Sequence, residues 1–251
     1  MDRLQLDKNA KLTGRVYFKD EVMWLGLSGS GASFTFDGTK LVLKLKGDNI
    51  AVGDNPIDYA RIAVYVDGKR VVDEMIDCAE KEVTVIDRTE SAQSVVEIIK
   101  LSESPMSAVG VEAFAEGSAE ALPEKPLKIE FIGDSITCGY GVDDEDENHQ
   151  FTTATEDVTK AYAYKTAKAL DAEYSMFSAS GYGIVSGYTE GDEPISEQTI
   201  PQFYCSYGFS RGDFAGTAPQ DIPWDFSKYI PQIIVTVSYT HLRAHETAAN
   251  L

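Results

Sequence analysis

Short runs of apolar residues, each closed by a turn signal, fill the first half of the chain. Residues 15–18, 32–36, 41–45, 63–66 and 83–86 each predict a strand. No helical period separates them, and strands at this spacing argue for a β-sandwich or jelly roll. Asp37-Gly38 and Asp67-Gly68 suit two-residue hairpin turns, because both central positions of such a turn need positive φ. Ser28-Gly29-Ser30-Gly31 lacks the lysine and following helix of a phosphate-cradling loop and reads as a flexible turn.

The period changes after residues 116–126, a stretch of small and charged residues closed by two prolines that predicts an interdomain linker. A strand over 128–132, an alanine-rich helix over 159–170, a strand over 173–178 and a further strand from 231 follow. Strand, helix and strand in that order predict a right-handed βαβ unit in a mostly parallel sheet. The expected organisation is a sandwich domain at 1–118, a linker at 119–126, an α/β domain at 127–236 and a separate tail at 237–251. Residues 143–147 read as a solvated acidic loop without calcium-loop spacing. The irregular segment 186–229 holds Tyr188, Phe203, Tyr204, Tyr207, Phe209, Phe214 and Trp224, an expected sugar-stacking wall.

Candidate chemistry gathers where the apolar run 129–132 stops at Gly133-Asp134-Ser135. A serine at the carboxyl end of a parallel strand projects into the crevice where open α/β sheets bind ligands, and its own N–H can face a developing oxyanion. Gly139 and Gly141 follow where a chain passing close to substrate needs residues without Cβ. Asp134 is expected to support this loop by bonding backbone N–H groups. Cys138 is a rival nucleophile without a histidine to activate it.

On these residues the chain resembles the SGNH (GDSL-type) hydrolases. The string from Gly133 to Gly141, Gly-Asp-Ser-Ile-Thr-Cys-Gly-Tyr-Gly, preceded by an all-β half, is similar more narrowly to carbohydrate esterase family 2. The resemblance implies a jelly roll followed by a flavodoxin-like α/β SGNH domain with a parallel sheet, acting as a serine esterase that removes acetyl groups from an oligo- or polysaccharide. Ser135 matches the nucleophile block, and Ser180-Gly181 the glycine block, so that Gly181, with Gly183 as alternative, joins the Ser135 N–H in the oxyanion hole. No metal or cofactor is implied. A lipase or thioesterase on the same scaffold, or a non-catalytic carbohydrate-binding protein, are the competing functions.

The family's oxyanion asparagine and its late Asp-x-x-His base have no match before Thr236. From Val237 the string Val-Ser-Tyr-Thr-His-Leu-Arg-Ala-His-Glu-Thr matches, codon by codon, a transposon-based sequencing adapter read in frame. The α/β domain is therefore expected to be incomplete, with a non-native tail lacking any packing role and the chain itself inactive. His241 and His245 then carry no chemistry, and their spacing without a third ligand does not make a zinc site. His149 lies in the acidic loop and reads as a surface residue.

Composition narrows the partners. Against 22 Lys+Arg stand 41 Asp+Glu, a formal charge of −19 that repels nucleic acid and anionic lipid and favours a neutral or cationic substrate. Cys78, Cys138 and Cys205 are too scattered for a disulfide framework. The first residues lack the basic and apolar regions of a signal peptide, so the chain as written is expected in the cytoplasm, or secreted if the native amino terminus is longer.

Overall fold

The computed structural model describes residues 1–146, 148–189 and 193–238. It begins with β1 (Asp2–Leu4), the single-turn helix α1 (Leu6–Asn9), β2 (Lys11–Thr13), β3 (Val16–Lys19) and β4 (Val22–Leu25). Then come β5 (Gly31–Gly47), β6 (Ala60–Val66), β7 (Lys69–Ile76), β8 (Glu80–Lys100) and β9 (Val109–Ala121). These strands form one antiparallel sheet in the order β3-β4-β9-β5-β8-β6-β7, with β1 added on β9 and β2 on β5.

Residues 32–36 and 41–45 belong to one strand, β5, so Asp37-Gly38 is not the hairpin the pattern predicts. A register shift between Gly38 and Lys40 interrupts the strand instead. The extra residue changes the phase of the alternation, so Phe34 and Phe36 before it and Leu41, Leu43 and Leu45 after it all enter one core. Gly38 sits opposite Gly117 at this bend. A Cβ on Gly38 would lie 2.3 Å from the Glu116 carbonyl oxygen, so the glycine serves close strand approach. Asp67-Gly68 does form the expected two-residue hairpin, both residues having positive φ, between β6 and β7.

Two further expectations fail for the same reason, that long-range pairing overrides local turn signals. β9 extends to Ala121, with Glu120 opposite Thr35, so residues 119–121 of the expected linker are strand. Ser28-Gly29-Ser30-Gly31 is buried and fixed rather than flexible, with the Gly29 N–H on the Lys100 carbonyl and the Lys100 N–H on the Ser30 carbonyl.

The second sheet contains β10 (Lys128–Gly133) at its centre, flanked by β11 (Glu173–Ser178) and β12 (Ile233–Val237), both parallel to it. The short helix α2 (Ser135–Cys138) leaves β10, α3 (Tyr162–Ala169) connects β10 to β11, and α4 (Ile200–Phe203) lies in the long segment before β12. α3 starts later than predicted because Asp157 caps a separate 3₁₀ turn at Val158–Lys160 and Ala161 is extended. Val237 pairs with Gly133, which gives the first residue of the expected tail a place in the sheet. His241 and His245 lie outside the described residues.

The two sheets share a core. Ala63, Ile99 and Leu101 from the antiparallel side pack with Ile129, Phe131, Tyr174 and Met176 of the parallel sheet and with Ala163 and Ala167 of α3. Ion pairs surround it: Lys11 with Glu173 at 2.9 Å, Arg70 with Asp157 at 2.7 Å and Arg61 with Asp143 at 2.9 Å. Asp143 is thereby an interface residue, not a solvated one. Arg15, fully buried, lies over the rings of Phe177 and Tyr204, donates to the Tyr204 and Ser206 carbonyls and faces Glu130 at 3.6 Å. Burial lowers its guanidinium pKa to about 10.

Most aromatics of segment 186–229 are packing residues, which corrects the expected sugar-stacking wall. Tyr207 and Phe214 pack with Trp24, and Phe209 packs with Phe177, all buried. Apolar burial outweighs exposure for these rings. Tyr188 alone of the seven is substantially exposed. No helix among the described residues is long and apolar enough to cross a membrane.

Leu101→Ala should cost about 2–5 kcal/mol in urea unfolding, because the leucine is fully buried where the two sheets meet. A loss below about 1 kcal/mol would contradict a shared core.

Candidate active site

Ser135 is the first residue of α2, half-buried, immediately beyond the carboxyl end of the central parallel strand. Its register partner strand brings a second loop to the same level. Gly133 of β10 pairs with Ser178 of β11, and the Ala179 N–H donates to the Gly133 carbonyl, so Ser135 and Ser180 each stand two residues beyond a paired position. The Ser180-Gly181 turn therefore emerges beside α2, at the strand ends where α/β sheets bind ligands.

The local sequence explains the loop. Asp134 is buried and caps α2 by accepting the Ile136 N–H on Oδ1 at 3.1 Å. Gly133 is required because a Cβ there would meet Thr137 Oγ1 at 2.1 Å. Gly139 closes the helix with φ +82 and donates its N–H to the Ser135 carbonyl. Among the described residues, the Ser135 hydroxyl and the backbone N–H groups of Ser135 and Gly181 have no hydrogen-bond partner. The Gly183 N–H, in contrast, is held by the Gln198 carbonyl at 3.3 Å.

Neither Cys138, the rival nucleophile, nor the surface residue His149 takes part in the site. Cys138 is fully buried, 3.3 Å from Ser178 Oγ, and burial pushes its thiol well above the ordinary range, which suppresses the thiolate. His149 is exposed and bonds Asp144 through Nδ1 at 2.7 Å, not Ser135. Among the described residues no group of three or more metal-ligating side chains is assembled.

Residues 12–126 match the family described as carbohydrate esterase 2 N-terminal. The chain is 30% identical over 211 residues to the cellulase/esterase CelE of Acetivibrio thermocellus, spanning 83% of this chain and 23% of that protein. It is 28% identical over 242 residues to an acetylxylan esterase / glucomannan deacetylase of Cellvibrio japonicus, spanning 94% of this chain and 62% of that protein. A family two carbohydrate esterase structure from Clostridium thermocellum, in complex with cellohexaose, superimposes with TM-score 0.73 and 26% identity over 90% of this chain and 64% of its own. The chain is similar to carbohydrate esterase family 2 proteins, with that family's N-terminal part matched over residues 12–126. The family 2-like chain thus spans less than two thirds of the length of these relatives.

Beneath the serine loop of the family 2-like chain lies a buried polar cluster that the sequence does not reveal. Residues 101–108, between β8 and β9, are wholly buried. Glu103 Oε2 accepts the Ser180 N–H at 2.6 Å and lies 3.9 Å from Cys138 Sγ. Glu156 Oε2 accepts the Glu103 N–H at 2.9 Å. Lys100, also fully buried, braces the turn by donating to the Ser102 and Glu103 carbonyls at 2.7 and 2.9 Å. Burial lowers its pKa to about 8. Burial and the adjacent Glu103 carboxyl push Glu156 well above the usual carboxylate range. Glu103 is flanked by serines and a proline in the sequence, a loop signature, and only its place soon after Val95, Val96, Ile98, Ile99 and Leu101 hints at burial.

The folded chain keeps a proton on Glu156 above about pH 4.3, where an unfolded glutamate releases it. The folded state then binds more protons, so this stability is fully present below that pH and is lost as pH rises. Glu156→Gln should match wild-type stability near about pH 4 and exceed it near about pH 8 in thermal unfolding. Parallel pH dependence in the two proteins would contradict the buried proton.

Proposed function

We propose that the chain carries the nucleophile and part of the oxyanion hole of a serine esterase that removes acetyl groups from a neutral polysaccharide. The observation that carries this is the Ser135 hydroxyl, unbonded among the described residues at the carboxyl end of a central parallel strand, in a family 2-like chain. The antiparallel sheet is read as the jelly-roll unit and the parallel sheet as the SGNH unit, the boundary falling after Ala121.

In this reading Ser135 Oγ attacks the acetyl carbonyl carbon while an imidazole base takes the hydroxyl proton. The carbonyl oxygen becomes an oxyanion held by the N–H groups of Ser135 and Gly181. Collapse breaks the bond to the sugar oxygen, which leaves as the hydroxyl with the proton from the imidazolium. Water then attacks acetyl-Ser135 by the same route and releases acetate. Asp134 supports the nucleophile by fixing the first turn of α2. Xylan and glucomannan esters are the substrates suggested by the Cellvibrio japonicus relative, and a β-linked glucan chain by the cellohexaose complex. The formal charge of −19 suits such uncharged substrates.

With the base that the resemblance implies unmatched in this sequence, the 251-residue chain should hydrolyse aryl acetates at background rates, and robust hydrolysis abolished by His241→Ala or His245→Ala would overturn that expectation. Fusion of residues 1–236 to the carboxyl-terminal stretch of the Cellvibrio japonicus relative supplies the histidine and asparagine that the resemblance implies. Acetyl release by that chimera should fall by about 10³-fold or more in Ser135→Ala with folding retained. Retention of more than about a tenth of the activity would overturn Ser135 as nucleophile.

A further inference from the structure

The mechanism above uses Ser135 and Gly181 and leaves Glu103 without a role, although Glu103 comes from the antiparallel sheet and reaches the loop of the other sheet. Its Oε2 receives the Ser180 N–H at 2.6 Å, and so holds the Ala179–Ser180 peptide, one peptide group before the one that carries the Gly181 N–H. Its other oxygen, Oε1, has no partner among the described residues, and neither has Oε1 of Glu156. Both side chains are fully buried. Two buried carboxyls with one lysine nearby are costly unless a proton is shared between them.

We propose that Glu103 is a positioning residue for the oxyanion hole, holding the Ser180-Gly181 turn through the Ser180 N–H. The inference rests on Gly181 being the oxyanion donor. The turn has few other restraints: the Gly181 carbonyl accepts the Tyr188 N–H at 2.7 Å, and the Tyr182 N–H bonds the Ala179 carbonyl at 3.2 Å. Gly181 has φ +78, a conformation most side chains avoid, and its N–H is unpaired among the described residues. At 2.6 Å the Glu103 contact is the shortest of the three, and among the described residues it is the one that holds the Ser180 N–H. The arrangement also makes the first sheet part of the active site: the nucleophile is carried by one sheet, and the geometry of its oxyanion partner is set from the other.

The test is amide hydrogen exchange by NMR on the 251-residue chain, comparing wild type, Glu103→Gln and Glu156→Gln. The Ser180 amide should be protected in wild type and exchange about tenfold or more faster in Glu103→Gln, with Glu156→Gln close to wild type because glutamine mimics the protonated carboxyl. A freely exchanging Ser180 amide in wild type would overturn the proposal even if Glu103→Gln fails to fold. Equal protection in wild type and a folded Glu103→Gln would do so as well, and so would a Glu156→Gln as fast as Glu103→Gln. The readout needs no turnover, so its failure is distinct from a failure of Ser135 as nucleophile, which the acetate assay reports.

Discussion

The backbone polar groups of residues 101–108 depend on partners inside the protein, because this loop is buried where the two sheets meet. That constraint organises the molecule. The Leu101 N–H bonds the Arg61 carbonyl, and the Leu101 carbonyl accepts the Val158 N–H ahead of α3. Ser104 Oγ donates to the Phe209 carbonyl at 2.6 Å, and the Pro105 carbonyl accepts the Arg211 N–H. Ser107 and Ala108 are held by Asp48. Glu103 takes the Ser180 peptide and gives its own N–H to Glu156. One buried turn therefore anchors the start of α3, the loop after β11 and the segment before β12. A flexible loop at the surface would need none of these partners.

The serine loop obeys a second, steric constraint. Gly133 and Gly139 bracket α2 because backbone or side-chain atoms occupy the space where their Cβ atoms would stand. Thr137 Oγ1 fills the position above Gly133 and bonds the Tyr162 hydroxyl at 3.1 Å, tying α2 to α3. Ser135, the proposed nucleophile, is thus presented by a loop whose neighbours leave no room for larger residues at Gly133 and Gly139, which suits preorganised oxyanion stabilisation. Charge crossing between the sheets acts in the same direction. Arg15 reaches from the antiparallel side to Glu130 on β10, two residues upstream of Ile132 in the strand that carries the serine loop.

What was legible in the sequence follows how local each signal is. β10 and β11 are short apolar runs with sharp ends, and the hairpin at Asp67-Gly68 is specified by two residues that tolerate positive φ. Ser135, Asp134 and Gly181 come from motif matches at the ends of such strands. The β5 bend was not legible, since Asp37-Gly38 carries the same signal as a hairpin and only pairing with β8 and β9 on both sides keeps the strand running through it. Glu103 and Glu156 were also hidden. A glutamate between serines looks solvated, and its burial depends on partners more than fifty residues away. The aromatic residues of 186–229 were visible, but which of them face the core depends on Arg15, Trp24 and Phe177.

The most direct measurement of the central claim is the site of covalent capture by a serine-directed fluorophosphonate in the chimera completed with the Cellvibrio japonicus carboxyl-terminal stretch. Tandem mass spectrometry should place a single adduct on Ser135, with no adduct on Cys138, and acetyl ester hydrolysis should be lost in proportion to its formation. An adduct elsewhere, or full labelling of a chimera that retains its esterase activity, would contradict the account.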